Sequence, residues 1–336
     1  MLTQEDLQKK DPEGMYVTYD KWADMAKNSY KSELETVDFK DIDHVVFSGM
    51  GGSGTIGDIF SSILSKTNIH TTVVKGYLLP ETVDRNTLVV ITSVSGDTNE
   101  AVTTLESAHA KKCQTIGFSS GGIMESYCLK NNIEFRKIPQ THSPRASLPN
   151  YVYSILKTLN SIFPIKIEEI NESLTALANI SELISFKNLS RTNVSLELAN
   201  WINGVPVIYY PWGLESAAIR FKNSLQENAK SHAIIENIIE SGHNGIVSWE
   251  RPSNMVPILI RGQDDHIKTK ERWNILHRYF EQNNIDYKEI ESVSGGILSK
   301  IMCLIYLLDY SSVYYSVLSG IDPSPIKSIN FIKENL

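Results

Sequence analysis

The sequence predicts an α/β protein with two parallel sheets, each flanked by helices. Short apolar segments such as 44–48 and 87–93 alternate with longer amphipathic segments through the first half of the chain. Continuously apolar strands that are separated by helices indicate a parallel sheet that is covered on both faces. The second half repeats this order from Val205 onward, so we expect two domains of similar plan.

Each element is predicted from its own local pattern. In the first half, strands are predicted at 44–48, 71–75, 87–93, 114–118 and 133–137, with helices at 53–65 and 99–111. Thr98 is a typical N-cap for the second helix, whose apolar residues recur at helical spacing. In the second half, strands are predicted at 205–210, 232–235, 256–261 and 287–291, and helices from near Trp212 through Glu227, at 268–283 and at 296–317.

The stretch between the two halves is polar and helical and contains no strand signal, so we place the domain boundary there. The predicted organisation is a helical segment over 1–34, a first sheet domain over 35–160, a helical linker over 161–200, a second sheet domain over 201–320 and a C-terminal helix over 321–336.

Composition excludes several classes of protein. The formal net charge of −7 argues against a basic surface that coats nucleic acid. Three scattered cysteines form neither a disulfide framework nor a zinc cluster, which fits a reducing cytoplasm. The N-terminus has no apolar core of the kind that signal peptides have, and no apolar run approaches the length of a membrane span. We therefore expect a cytoplasmic protein.

A glycine-rich turn, Gly49-Met-Gly-Gly-Ser-Gly54, follows the first strand. The same pattern occurs in dinucleotide-binding proteins, which need an acidic residue after the next strand to hold the ribose. Lys75 stands there instead, so the charge is wrong for NAD. Two alternatives stay open: the glycines only allow close packing of the helix, or the turn binds a sugar or sugar phosphate.

A second turn, rich in hydroxyl groups, follows the third strand. Ser93, Ser95 and Thr98 surround Gly96 at the start of a predicted helix. The helix N-terminus carries a partial positive charge and unpaired N–H groups, which favour a bound phosphate. The simpler alternative is that Thr98 only caps the helix.

Three further residues are candidates for proton transfer. Glu227 lies on the last turn of a predicted amphipathic helix, His243 lies in a loop between Gly242 and Asn244, and Arg145 opens a helix. Taken singly, Glu227 is better explained as a solvated helix-end acid, His243 is equally well explained as a solvated loop residue, and Arg145 could make a surface ion pair. Together, a carboxylate base, a histidine and two anion-binding turns would suit proton transfer on a phosphorylated sugar without a metal or cofactor.

Over nearly its whole length the chain resembles the bifunctional phosphoglucose/phosphomannose isomerases, which belong to the sugar isomerase (SIS) domain superfamily. The order and combination of the motifs make the resemblance specific. It rests on the two turns Gly49-Met-Gly-Gly-Ser-Gly54 and Ser93-Val-Ser-Gly-Asp-Thr-Asn-Glu100, on Pro144-Arg-Ala146, Glu227-Asn-Ala-Lys230 and His243-Asn244, and on the ending Gly320-Ile-Asp-Pro-Ser-Pro with Lys333.

The resemblance implies two SIS-type, flavodoxin-like domains, each with a five-stranded parallel sheet. It also implies a metal-independent homodimer that acts on hexose 6-phosphates. Glu227 would be the base, His243 would open the sugar ring from the partner subunit, and Lys333 would assist it. The phosphate would bind to Ser93, Ser95 and Thr98. Gly51, Gly52, Ser53 and Arg145 would line the sugar, with Arg145 stabilising the enediolate.

Two features of the sequence raise alternatives within this resemblance. Asp97 stands where the family has asparagine, so its charge either weakens phosphate binding or points outward to solvent. The turn at 322–325 can redirect the last helix, and Ile329 and Ile332 would then dock that helix on the domain.

Two other functions compete with the isomerase. One is the isomerase half of glucosamine-6-phosphate synthase, which is opposed by Leu2 in the place of that enzyme's nucleophilic cysteine. The other is a sugar-phosphate sensor without catalytic activity, which is opposed by the combined presence of Glu227, His243 and Lys333.

Overall fold

A computed structural model describes residues 2–335. The first half contains three short helices followed by alternating strands and helices, as the sequence predicts. The elements in chain order are α1 (Gln4–Lys10), α2 (Met15–Asp20), α3 (Trp22–Tyr30), β1 (His44–Ser48), α4 (Gly52–Leu64), β2 (His70–Val74), β3 (Thr87–Thr92), α5 (Asn99–Ala110), β4 (Gln114–Ser119), α6 (Gly122–Lys130), β5 (Glu134–Lys137), a 3-10 helix (Arg145–Ser147) and α7 (Leu148–Thr158).

The rest of the chain begins with the predicted helical stretch and then returns to strands and helices. These elements are α8 (Ile167–Ile184), α9 (Val194–Trp201), β6 (Val205–Tyr210), α10 (Glu215–Ala229), β7 (Ile234–Asn237), α11 (Ile238–Ser241), a 3-10 helix (Gly245–Glu250), β8 (Met255–Arg261), α12 (Ile267–Gln282), β9 (Lys288–Glu291), α13 (Ile297–Leu318) and α14 (Lys327–Glu334).

The chain divides into two compact units. The first unit contains residues 21–178 and 295–299, and the second contains the chain up to residue 20, residues 179–294 and the chain from residue 300 onward. The first unit is built on a parallel sheet with the strand order β2-β1-β3-β4-β5. Strands β1 and β3 are buried along their whole length, which explains their continuously apolar sequences.

The second unit is built on a parallel sheet of four strands in the order β7-β6-β8-β9. The five strands that the resemblance implies for this sheet are therefore wrong for the described part of the chain. The reason lies after β9, where the chain enters the 22-residue helix α13 instead of a short helix and a further strand. The predicted helix at 296–317 is thus confirmed. Because the apolar residues after β9 lie in this helix, they do not form a fifth strand.

Among the described residues, α13 is the one helix that is long and apolar enough to cross a membrane. Its most apolar window has a mean hydropathy of 1.4, but 89% of that window is buried inside the protein. Burial of this extent is typical of the core helix of a folded domain, so the length and composition of α13 are weak evidence for a membrane span.

A buried carboxylate on α13 holds several helices of the second unit. Asp309 is 0% exposed and accepts hydrogen bonds from Arg220 Nε at 2.8 Å and from Arg220 Nη2 at 2.7 Å. The hydroxyl of Ser224 donates to it at 2.5 Å and that of Tyr19 at 3.3 Å. Burial raises the pKa of Asp309, and the contacts with Arg220, Ser224 and Tyr19 oppose that rise. The carboxylate thereby links α2 and α10 to α13.

We predict that Asp309→Asn is strongly destabilising, because it removes the carboxylate that pairs directly with the buried Arg220 guanidinium. Removing one partner of a buried ion pair costs about 3–5 kcal/mol, which urea denaturation would measure as a lower free energy of unfolding. The control is Asp264→Asn, which breaks the pair between Lys300 and a carboxylate that is 75% exposed. Exposed pairs contribute about 0–1 kcal/mol, so equal losses in the two variants would contradict this role of Asp309.

Candidate active site

The turn between β1 and α4 needs glycine where backbone segments approach each other closely. A Cβ atom on Gly49 would lie 2.9 Å from the carbonyl oxygen of Thr92, at the end of the neighbouring strand β3. A Cβ atom on Gly54 would lie 2.8 Å from the carbonyl oxygen of Gly49. Close packing, one of the alternatives that the sequence left open, therefore explains Gly49 and Gly54.

Close packing does not explain Gly51. This residue has φ of 55°, and a Cβ atom there would meet nothing within 4 Å. It stands at the N-cap of α4, where no described side chain makes a capping hydrogen bond. Gly51 is exposed, whereas Ser53 is only 8% exposed. The turn thus presents an open N-terminus of a 13-residue helix, where a bound anion is favoured.

Lys75 follows β2 at the position where a dinucleotide site needs an acid. Its ammonium lies 2.6 Å from the Asp58 carboxylate on α4. Its stem runs beside Gly54, since a Cβ atom on that glycine would lie 3.2 Å from Lys75 Cε. The lysine is therefore paired with an acid of its own unit. The position that would bind a ribose in a dinucleotide site holds a paired cation instead of an acid.

The turn between β3 and α5 brings two of its three hydroxyl groups together. The side-chain oxygens of Ser93 and Thr98 are 2.9 Å apart, and the Gly96 N–H donates to Ser93 Oγ at 3.1 Å. Thr98 is the N-cap residue of α5, but its side chain makes no capping hydrogen bond, so capping does not account for this threonine. The third hydroxyl, on the exposed Ser95, accepts the Asp97 N–H at 3.3 Å instead.

Gly96 lets this turn contact the start of α6. It has φ of 83°, and a Cβ atom there would overlap the carbonyl oxygen of Gly121. Asp97 also faces α6, because its Oδ1 accepts the Ile123 N–H at 2.9 Å. The side chain is exposed and binds the backbone at the start of the neighbouring helix. Its negative charge is thus stabilised by the N-terminus of α6.

Arg145 is buried, with an exposed fraction of 3%, in the 3-10 helix that precedes α7. A surface ion pair, the simpler explanation from the sequence, is therefore wrong. The backbone around it is fixed by side chains: Trp22 Nε1 donates to the carbonyl oxygen of Ala146 at 2.8 Å, and Ser147 Oγ accepts the Thr141 N–H at 2.8 Å. The guanidinium is thus carried on a firmly held segment.

Glu227 lies half-buried on the last turn of α10 in the second unit. The helix ends at Lys230, which has φ of 53°. The Lys230 ammonium donates to the carbonyl oxygens of Glu227 at 3.0 Å and of Asn228 at 3.2 Å. It also donates to those of Asp322 at 2.9 Å and Pro323 at 3.1 Å. Lys230 therefore closes the helix that carries Glu227 and ties it to the C-terminal turn.

His243 is exposed in the loop between α11 and the 3-10 helix at 245–250. Glu227 precedes β7 in the chain, whereas His243 follows it. Because the strands of this sheet are parallel and α10 runs back between β6 and β7, the two residues lie towards opposite ends of β7. Within one chain, β7 and α11 therefore separate Glu227 from His243 along the sequence.

Lys333 lies on the exposed helix α14. The helix was expected, but the docking of its apolar residues is wrong: Ile329 is 39% exposed and Ile332 is 58% exposed. Phe331 beside them is 64% exposed. A helix of eight residues buries little surface, and in the described chain these side chains find no cover.

Two supporting residues were missed at the level of sequence. Lys230 had a readable signal, because a lysine after a helix end can bind the last carbonyl groups, but its second pair of carbonyls is distant in sequence. Asp309 had no local signal, since an acid inside an apolar helix gives no hint of Arg220 as its partner.

Within residues 2–335 no cluster of three or more metal-binding side chains is found.

Two family models match the chain: the SIS domain over residues 38–152 and the bacterial phospho-glucose isomerase C-terminal SIS domain over residues 191–336. A bifunctional phosphoglucose/phosphomannose isomerase of Caldicellulosiruptor bescii is 32% identical over 88% of this chain and 90% of its own length. One of Aquifex aeolicus is 31% identical over 96% of both chains.

A solved structure of a hypothetical protein from Thermus thermophilus has a TM-score of 0.73 and covers 98% of this chain and 92% of its own, at 12% identity. That likeness shows a shared fold. The sequence relatives go further, because they exceed 30% identity across nearly the full length of both partners. The chain belongs to the family of bifunctional phosphoglucose/phosphomannose isomerases and is a sugar-phosphate isomerase.

Proposed function

We propose that the protein interconverts glucose 6-phosphate with fructose 6-phosphate, and mannose 6-phosphate as a second substrate, through an enediolate. The observation that carries the choice of a phosphorylated sugar is the pair formed by Ser93 and Thr98, whose hydroxyl oxygens are 2.9 Å apart at the start of α5. The two relatives described above are both named bifunctional phosphoglucose/phosphomannose isomerases, which supports glucose 6-phosphate and mannose 6-phosphate as substrates.

In this proposal the phosphate binds to Ser93, Ser95 and Thr98. Hydroxyl and backbone N–H donors at a helix N-terminus suit a dianion. The hydrogen bond from the Ile123 N–H to the Asp97 carboxylate, at 2.9 Å, supports this proposal, because it partly balances the charge of Asp97. The sugar hydroxyls would bind to the open turn at Gly51, Gly52 and Ser53.

The proposed proton transfer uses Glu227 as the base. Its carboxylate removes the proton from carbon 2 of the open-chain aldose, which leaves an enediolate with the charge on O1. The hydroxyl proton then passes from O2 to O1, and Glu227 returns its proton to carbon 1, so that O2 becomes the carbonyl oxygen of the ketose. The developing negative charge on oxygen is stabilised by the Arg145 guanidinium, which is 3% exposed and therefore acts in a medium of low polarity. A fixed cation of this kind removes the need for a metal ion.

Ring opening is assigned to His243 and Lys333. Both are exposed in the single chain, and His243 is separated from Glu227 by β7. We infer a homodimer in which His243 reaches the partner's site.

We also infer a cytoplasmic location. The free thiols of Cys113, Cys128 and Cys303 support this location, because disulfides are rare in the reducing cytoplasm.

The test of the reaction is a coupled assay with each of the three hexose 6-phosphates as the starting compound. We expect interconversion of glucose 6-phosphate and fructose 6-phosphate, and slower or equal conversion of mannose 6-phosphate. A folded protein that converts none of the three would contradict the proposal.

Replacing the base should abolish most of the activity. Glu227→Gln keeps the shape of the side chain but removes the proton acceptor, so kcat should fall about 10²–10⁴-fold with an unchanged melting temperature. The matched control is Glu215→Gln at the other end of α10, which loses the same charge and should keep its rate. Near-normal turnover of Glu227→Gln would disprove its role as the base.

Removing the paired hydroxyls should weaken substrate binding. Hydrogen bonds to a charged group contribute about 1.5–3 kcal/mol each, so Ser93→Ala with Thr98→Val should raise KM for the sugar phosphates well above tenfold. Ser126→Ala, which removes an exposed hydroxyl from the nearby helix α6, serves as the control. An unchanged KM in the folded double variant would place the phosphate elsewhere.

Lys333 should matter for the cyclic sugar but not for the fold. Lys333→Ala, or deletion of residues 333–336, should abolish turnover of the ring form, because the ammonium would no longer donate to the ring oxygen. The melting temperature should stay the same, since α14 has no buried residue. Lys327→Ala on the first turn of α14 is the control. Parent rates in both Lys333 variants would refute the assignment.

Metal removal should leave the rate unchanged. The proposed chemistry assigns proton transfer, charge stabilisation and ring opening to the side chains of Glu227, Arg145, His243 and Lys333, so activity should survive exhaustive dialysis against EDTA. The measurement is turnover before and after chelation. Loss of activity that zinc or manganese restores would require a metal-assisted mechanism instead.

A further inference from the structure

A cavity of about 230 Å³ lies in the second unit, and Glu227 is not among the residues that line it. One face of the sheet forms its floor, with Val207 and Tyr209 on β6 and Glu236 on β7. The 3-10 helix at 245–250 forms its wall with Gly245 and Trp249, and Met255 at the start of β8 closes one side. The volume suits a molecule smaller than an average drug, for which pockets of roughly 300–1,000 Å³ are usual.

The carboxylate of Glu236 is the unusual feature of this cavity. Its Oε2 is buried and has no hydrogen-bond partner among the described residues. Burial raises the pKa of Glu236, as expected for a charge that has lost water without gaining a partner. Glu236 is half-buried, but a buried carboxylate oxygen is normally paired or hydrogen-bonded. Its Oε2 therefore lacks a partner that the described residues do not supply.

The surrounding backbone leaves room for the carboxylate but does not bind it. A Cβ atom on Gly245 would overlap the Glu236 carboxylate, so only glycine allows this arrangement. The Gly245 N–H is not available to Glu236, because it donates to Asn244 Oδ1 at 2.6 Å. The Trp249 Nε1–H is also used, since it donates to the Tyr209 hydroxyl at 2.7 Å.

The other lining groups define what the missing partner should look like. Among residues 2–335, no lysine, arginine or histidine lines the cavity, and Glu236 is its one charged group. Val207 and Met255 are apolar, and the Trp249 ring offers a face that attracts cations. A cationic head on a short apolar body would satisfy the carboxylate and fill the remaining space.

We propose that this cavity binds a small organic ammonium, whose head pairs with Glu236 and whose alkyl chain packs against Trp249 and Met255. The wall of the cavity begins directly after His243 and Asn244, and Asn244 also donates to Glu240 at 3.0 Å. An occupant would therefore hold the loop that carries His243. This effect on turnover rests on the proposed role of His243, whereas binding itself does not.

The test is calorimetric titration of the full-length protein with n-butylammonium chloride, at constant ionic strength, beside 1-butanol and potassium chloride. We expect saturable binding of the amine alone. Glu236→Gln should weaken it at least about tenfold, because a charge-assisted hydrogen bond is lost. Glu250→Gln, which removes an exposed charge from the same 3-10 helix, should bind as the parent does.

Gly245→Ala provides a second variant, since its methyl group would displace the Glu236 carboxylate without changing any charge; it too should lose binding. The proposal is overturned if the parent protein shows no saturable binding, if Glu236→Gln binds equally well, or if 1-butanol binds as tightly as the amine. Because heats of binding are measured without substrate, failure here is distinct from failure of the isomerase assay.

Discussion

The second unit depends on the buried carboxylate of Asp309. A charge in the middle of an apolar helix is stable only where enough donors meet it, and here Arg220, Ser224 and Tyr19 supply them. Two of these donors lie on α10, so the helix can neither rotate nor slide without losing a hydrogen bond to a buried charge. The position of Glu227 on the last turn of that helix follows from this requirement.

In the first unit, close contacts between backbone segments fix the positions of the turns that carry the candidate site. Gly49 approaches the end of β3, and Gly96 approaches the start of α6. The turns that follow β1, β3 and β4, which are neighbours in the sheet, therefore pack against each other at the carboxyl ends of these strands. Asp97 strengthens this contact by binding the Ile123 N–H. Rigid turns suit the binding of a phosphate, because little conformational entropy remains to be lost when the ligand arrives.

The sequence was sufficient for the elements whose signal is local. Buried parallel strands have continuous apolar sequences, and all nine predicted strands are found, with their ends shifted by at most two residues. The sequence was insufficient where partners are distant. Asp309 and Arg220 are 89 positions apart, and no periodicity relates them. The apolar spacing of Ile329 and Ile332 predicted a helix correctly but could not tell whether a surface exists to cover it.

Lys230 gives the second unit a feature that chemistry can observe directly. An ammonium has three protons, and here four carbonyl oxygens surround it, two of them 92 and 93 positions further along the chain. Such an amine has no lone pair to offer an acylating reagent while the carbonyls hold its protons. Detachment of the C-terminal segment would remove two of the four acceptors, so the labelling rate of this one lysine should rise when the chain end opens.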